Sequence, residues 1–116
     1  MNRRFSIGAS GLLAAACLLA AWPRLAAAAD DEDELARGKA LLERDCARCH
    51  AIGKTGASPH KQAPAFRTLS KRYPIDSLEE ALAEGIVTGH PDMPEFEFAP
   101  DDVEAIIAYL KSIEQR

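Results

Sequence analysis

Sulfur and tryptophan are scarce in this chain of 116 residues, which has three cysteines, two methionines and one tryptophan. Three cysteines cannot build a disulfide framework. Basic side chains are also short in supply, 14 against 18 acidic ones, for a net charge of −4. That balance excludes nucleic acid and anionic lipid as electrostatic partners. Long apolar runs are absent except for a mainly apolar stretch from Ile7 to Trp22, which falls short of the roughly 18 residues that span a membrane. No segment alternates as a strand does, so the chain reads as all-α.

The one apolar stretch sits where an export leader sits. Arg3 and Arg4 precede it, and Ala26-Ala27-Ala28-Ala29 follows it ahead of acidic Asp30, in the order of a secretory signal peptide. Cleavage after Ala28 or Ala29 makes residues 1–29 a removed leader and 30–116 a single exported, periplasmic domain without stable membrane insertion. Retention as an anchor and lipidation of Cys17 are the rival readings. Against the second, no large apolar residue stands just before Cys17, and Leu18, Leu19 and Trp22 carry the run past it.

Losing the leader removes three of the 14 basic residues and none of the 18 acidic ones, leaving 11 against 18, a net charge of −7. It also removes Met1, Cys17 and Trp22, so Cys46, Cys49 and Met93 become the only sulfurs. The 116 residues less 29 leave 87, one domain whose core is marginal without a metal, a disulfide or another large insert. A Cys46–Cys49 bridge would close too short a loop to stabilise much.

Those two cysteines lie in Cys46-Ala47-Arg48-Cys49-His50. C-x-x-C-H is the spacing at which two thiols add to the vinyl groups of one haem while the adjacent imidazole takes its iron. The covalent haem would supply the missing apolar volume. Attachment outside the cytoplasm needs an unfolded exported chain, which favours the general secretory route over the twin-arginine route that Arg3-Arg4 invite. C-x-x-C also serves thiol–disulfide exchange and half of a zinc site. Exchange lacks its βαβ setting here, and zinc lacks a second C-x-x-C or paired histidines.

The remaining pattern is helix and loop. A first helix is expected from about Asp33 to Arg44, with Leu35, Gly38, Leu41 and Leu42 on one face. A connection from Ala51 to Ala65, rich in glycine and proline, precedes a short helix at Phe66–Lys71. Asp76-Ser77-Leu78-Glu79 reads as a capping box opening a helix that stops at Gly85. The final helix opens with Pro100, Asp101 and Asp102 and carries Val103, Ile106, Ile107, Leu110 and Ile113 as a stripe for burial. It is expected to cross the first helix, Gly38 allowing close approach beneath Tyr109. No side-chain cap is available to it, because Ala99 stands at the cap position.

Met93 lies in a proline-bounded loop, Pro91-Asp92-Met93-Pro94, ahead of this closing helix. An isolated methionine is ordinarily a core filler. Here it is the candidate second axial ligand, since a thioether opposite an imidazole favours ferrous iron, raises the reduction potential and leaves no open coordination site. His60 and His90 are its competitors. Lys61, Arg67, Arg72 and Tyr73 are candidate partners for the haem propionates.

The order of an acidic helix with Gly38, then Cys46-Ala47-Arg48-Cys49-His50, then Ala63-Pro64-Ala65-Phe66, then Asp92-Met93-Pro94, then a final helix bearing Tyr109-Leu110, resembles a class I, monohaem cytochrome c. The resemblance covers essentially all of residues 30–116. It implies a small all-α fold, its N- and C-terminal helices crossing and packed around one covalent haem c. Cys46 and Cys49 would form the thioethers, His50 the proximal bond and Met93 the distal bond. Family members commonly have a Gly-Pro pair whose proline carbonyl accepts the proximal imidazole N–H; Pro64 matches the proline, and Ala63 departs from the glycine. The implied function is transient, monomeric electron transfer between a periplasmic dehydrogenase or bc1 complex and a terminal oxidase or reductase. The alternative is an open-site haem protein for peroxide or nitric oxide chemistry, with Met93 unligated and a polar donor such as His60 or His90 nearby.

Overall fold

The computed structural model describes residues 22–85, 87 and 90–115. Arg3, Arg4, Cys17 and the apolar run as far as Ala21 lie outside these residues, as does Gly89. The chain divides into two units, 1–31 and 32–116. Of the first, the described residues 22–31 are helical and open α1 (Trp22–Asp45). In the second, α1 runs on to Asp45 and is followed by 3₁₀ turns at Phe66–Lys71 and Ile75–Leu78, then α2 (Glu79–Glu84) and α3 (Pro100–Ile113). No strand occurs among the described residues, and the fold is all-α.

Two expectations need correction. The first helix begins at Trp22 and not near Asp33. Pro23 falls in its first turn, where a missing N–H costs nothing, and Ala26–Ala29 is the best helix-forming composition available. The capping box at Asp76 does not form either. Ile75–Leu78 winds as a 3₁₀ turn around the buried Ile75, and α2 starts one turn later at Glu79 with no side-chain cap. Asp76 lies inside that 3₁₀ turn, and its carboxylate is directed to Lys111 of α3.

The other elements follow their sequence pattern. Phe66–Lys71 is helical as 3₁₀, with Phe66 and Leu69 buried. Gly85 ends α2 at φ +98, a conformation only glycine adopts without strain. Val103, Ile106, Ile107, Leu110 and Ile113 all point into the core, joined by Leu41 and Leu42 from α1. The α3 N-terminus has proline in its first turn, Asp101 and Asp102 beside its free N–H groups and no side-chain cap at Ala99.

Gly38 is where α1 and α3 meet. A Cβ there would be driven into the Ala105 carbonyl and would lie 3.0 Å from the Cβ of Tyr109. Arg37 reinforces the crossing, its Nη2 lying 2.6 Å from Asp102 Oδ1 and its Nε donating to the same oxygen at 2.9 Å. The helix that delivers the cysteines is thereby held against the helix that closes the fold.

Candidate functional site

The C-terminal end of α1 runs directly into the Cys46–His50 turn. The Cys46 and Ala47 N–H groups both donate to the Leu42 carbonyl at 2.9 Å, and the Cys49 and His50 N–H groups both donate to the Cys46 carbonyl at 3.1 and 2.9 Å. Four peptide groups therefore fix the turn, and both thiols are free and half-buried. Burial, with Asp45 and then Cys49 adding to it, pushes the Cys46 thiol up to about 11. A dithiol built for exchange needs its thiolate made easier to form, so this turn is poorly suited to thiol–disulfide chemistry.

Among the described residues His50 is the one buried polar side chain, at 9 % exposure. Its ring stacks on Phe66, with centroids 4.5 Å apart and planes at 30°. Nδ1 lies 2.8 Å from the Pro64 carbonyl oxygen. A carbonyl can only accept, so Nδ1 carries the proton and donates it, which leaves Nε2 with its lone pair for a metal. The Ala51–Ala65 connection that holds Pro64 in place is irregular but well tethered. Phe66 N–H donates to the Ala51 carbonyl at 3.0 Å, and Ala51 N–H donates to Ser58 Oγ at 3.0 Å. Tyr109 Oη donates to the Ile52 carbonyl at 3.1 Å, binding this connection to α3.

Met93 is carried on the loop between α2 and α3. Its N–H donates to the His90 carbonyl at 3.1 Å, closing a tight turn over residues 90–93, and the side chain is partly buried. At the loop's base Phe98 N–H donates to the Leu82 carbonyl at 3.0 Å, while the Glu95 side chain packs against Gly85. Phe96 and Phe98 stack with centroids 6.1 Å apart.

The structure brings His50 and Pro64 together and seats Cys46 and Cys49 in one fixed turn. His60, a competitor for the distal position from sequence alone, has its ring nitrogens directed to Gln62 and Asp92. Arg67 is engaged by backbone, donating to the Gly56 carbonyl at 2.7 Å and the Gly53 carbonyl at 3.4 Å. Lys61, Arg72, Tyr73 and His90 are exposed. The stacking of Phe66 on His50 and the pairing of His60 with Asp92 were missed by sequence reasoning. The first had a weak signal in the placement of Phe66 two residues after Pro64; the second had none.

The family model for cytochrome c matches residues 35–114, nearly the whole of the second unit. The chain belongs to the cytochrome c family. It is similar to the cytochrome bc1 complex cytochrome c subunit of Corynebacterium diphtheriae, 32% identical over 90 residues, which are 73% of this chain and 29% of that protein. It is also similar to cytochrome c oxidase subunit 2 of Alkalihalophilus pseudofirmus, 34% identical over 86 residues, 61% of this chain and 23% of that protein. A third relative is cytochrome c6 of a Picosynechococcus species, 32% identical over 83 residues, 66% of this chain and 71% of that protein. The chain thus spans less than a third of the first two relatives. No solved structure matches it at comparable significance.

The cofactor of this cytochrome c domain is covalently bound haem c, and the donor set fits it. Two free, half-buried thiols sit at C-x-x-C spacing in one hydrogen-bonded turn, followed by an imidazole whose Nδ1 is spoken for and whose Nε2 is not. Among the described residues no group of three or more His, Cys, Asp or Glu side chains is gathered as it would be for a bare metal ion. No described helix is long and apolar enough to cross a membrane.

Proposed function

We propose that this cytochrome c is an electron carrier and not an enzyme, with Cys46 and Cys49 forming the thioether bonds and His50 and Met93 the axial pair. The observation that carries the reading is the 2.8 Å hydrogen bond from His50 Nδ1 to the Pro64 carbonyl. It fixes the tautomer and ring orientation an axial imidazole needs and raises the ligand's basicity, while the Phe66 face restrains ring rotation. When bound, haem c supplies the reversible one-electron couple. The chain's own residues keep water from the proximal imidazole by burying it and carry Met93 on a turn closed by its N–H bond to the His90 carbonyl, in a loop whose base Phe98 ties to Leu82. Nothing in such transfer calls for an acid, a base or a nucleophile.

The donors and acceptors consistent with this reading are a periplasmic dehydrogenase or bc1 complex on one side and a terminal oxidase or reductase on the other, met by transient docking of a monomer. The names of the relatives, a bc1 complex subunit and an oxidase subunit, support a respiratory setting. Export by removal of residues 1–29 and a periplasmic location complete the proposal, supported by the basic, apolar, alanine-rich order of that segment.

Optical spectra test it. Haem-loaded protein is compared with a Met93→Ala variant in the oxidised, reduced and carbon monoxide-treated reduced states. A near-infrared sulfur-to-iron band in the oxidised protein, absent from the variant, and no carbon monoxide shift in the unmodified protein are the expected results. A missing band with rapid carbon monoxide binding would replace the carrier by an open-site haem protein.

A further inference from the structure

His60 stands apart in having every polar atom committed. Its N–H donates to the Cys49 carbonyl at 3.1 Å, and its own carbonyl accepts from Ala63 N–H at 3.1 Å. Its Nδ1 accepts from Gln62 N–H at 3.3 Å, and its Nε2 lies 3.5 Å from Asp92 Oδ2. With Nδ1 accepting from the backbone, Nε2 is the ring atom left to face the Asp92 carboxylate. Cys49 precedes His50 and Asp92 precedes Met93. The contacts therefore form a short protein path from one proposed axial ligand to the other, through the Cys49 carbonyl, His60 and Asp92.

We propose that His60 is a positioning residue, a strap that ties the Met93 turn to the haem-attachment turn and so holds the distal ligand in place. The inference rests on the His50/Met93 reading. Asp92 belongs to the 90–93 turn closed by the Met93 N–H bond to the His90 carbonyl, so a pull on its carboxylate acts on the turn that carries Met93. The loop's base is fixed independently, by Phe98 on Leu82 and Glu95 on Gly85. The strap acts at the tip, on the 90–93 turn, away from those anchors. The Asp92 side chain is largely in solvent and that of His60 partly so, at 76% and 37% exposure, which limits the pair's worth to near that of an exposed pair.

The test uses ferric, haem-loaded protein titrated with free imidazole, which competes for the distal position, following loss of the near-infrared sulfur band. Asp92→Ala and His60→Leu are each expected to lower the imidazole concentration at half-loss about threefold. The double variant is expected to go no further than either single one, because both remove the same contact. His60→Gln, which keeps a side-chain N–H donor, should recover most of the shift. Denaturant unfolding, recorded on the same proteins, separates positioning from general weakening. Unchanged half-loss in either single variant, additive effects in the double, or a shift matched by an equal loss of global stability would overturn the strap. A wild-type protein without the sulfur band removes the ligand reading and the strap together, whereas a normal band with unaltered variants removes the strap alone.

Discussion

A buried histidine whose two ring faces and two nitrogens must all be provided for shows how much a single residue asks of its surroundings. His50 donates one hydrogen bond to the Pro64 carbonyl and takes one aromatic face from Phe66, and both partners come from Pro64-Ala65-Phe66, where the irregular connection gives way to the 3₁₀ turn. Phe66 thus has two jobs, filling core volume and restraining the imidazole. Replacing it by leucine keeps most of the apolar volume and removes the stack. Phe66→Leu is expected to cost about 1 kcal/mol in denaturant unfolding of the haem-loaded protein, the worth of an aromatic pair beyond its buried area. Phe66→Ala, which also leaves a cavity, should cost about 3 kcal/mol or more. Equal losses in the two variants would show that packing alone matters at this position.

At the scale of elements, the crossing of α1 and α3 turns on one missing Cβ. In an exposed helix interior, exchanging glycine for alanine stabilises by about 1 kcal/mol. Gly38 reverses that sign, because its Cβ would meet the Ala105 backbone, which cannot move aside without shifting α3. Gly38→Ala is therefore expected to destabilise by about 2 kcal/mol net, read from the thermal or denaturant midpoint. Lys39→Ala, at an exposed position with only an i,i+4 pair to Glu43 at 3.3 Å, should change it by a few tenths of a kcal/mol. What was legible in the sequence follows the same division. The α3 stripe, the Phe66–Lys71 turn, the Gly85 stop and the Gly38 crossing could be read because periodicity or a special residue encodes them locally. The capping box could not, since Asp76 lies inside a 3₁₀ turn with its carboxylate directed to Lys111 of a distant helix, and no local rule foresees that contact. The start of α1 was misread because an alanine run with proline in the first turn is helical whatever its later processing. Cys46, Cys49 and His50 stood out by spacing, whereas the engagement of Arg67 by loop carbonyls and of His60 by Asp92 arises only when the connection folds back.

On the scale of the whole molecule, charge is the property that bears on partners. The chain carries −4 as a whole, and −7 over residues 30–116 if the leader is removed. Several basic side chains are paired within the fold, Arg37 with Asp102, Arg44 with Asp45 and Lys111 with Asp76, which leaves the acidic excess as the field a partner meets. For an electron carrier that docks briefly, such a field matters more to the rate of encounter than to the strength of the complex. It follows that a small cationic redox complex should exchange electrons with this protein faster than an anionic complex of matched driving force. The gap should be widest at low salt and close as ionic strength rises toward about 1 M, where the screening length falls to about 3 Å. Stopped-flow mixing at a series of salt concentrations measures both slopes. Rates that fall with salt for the cationic reagent and rise for the anionic one fit a net negative approach surface. The opposite pair of slopes would mean that the electron leaves through a locally basic face, and the docking partner would then have to be acidic.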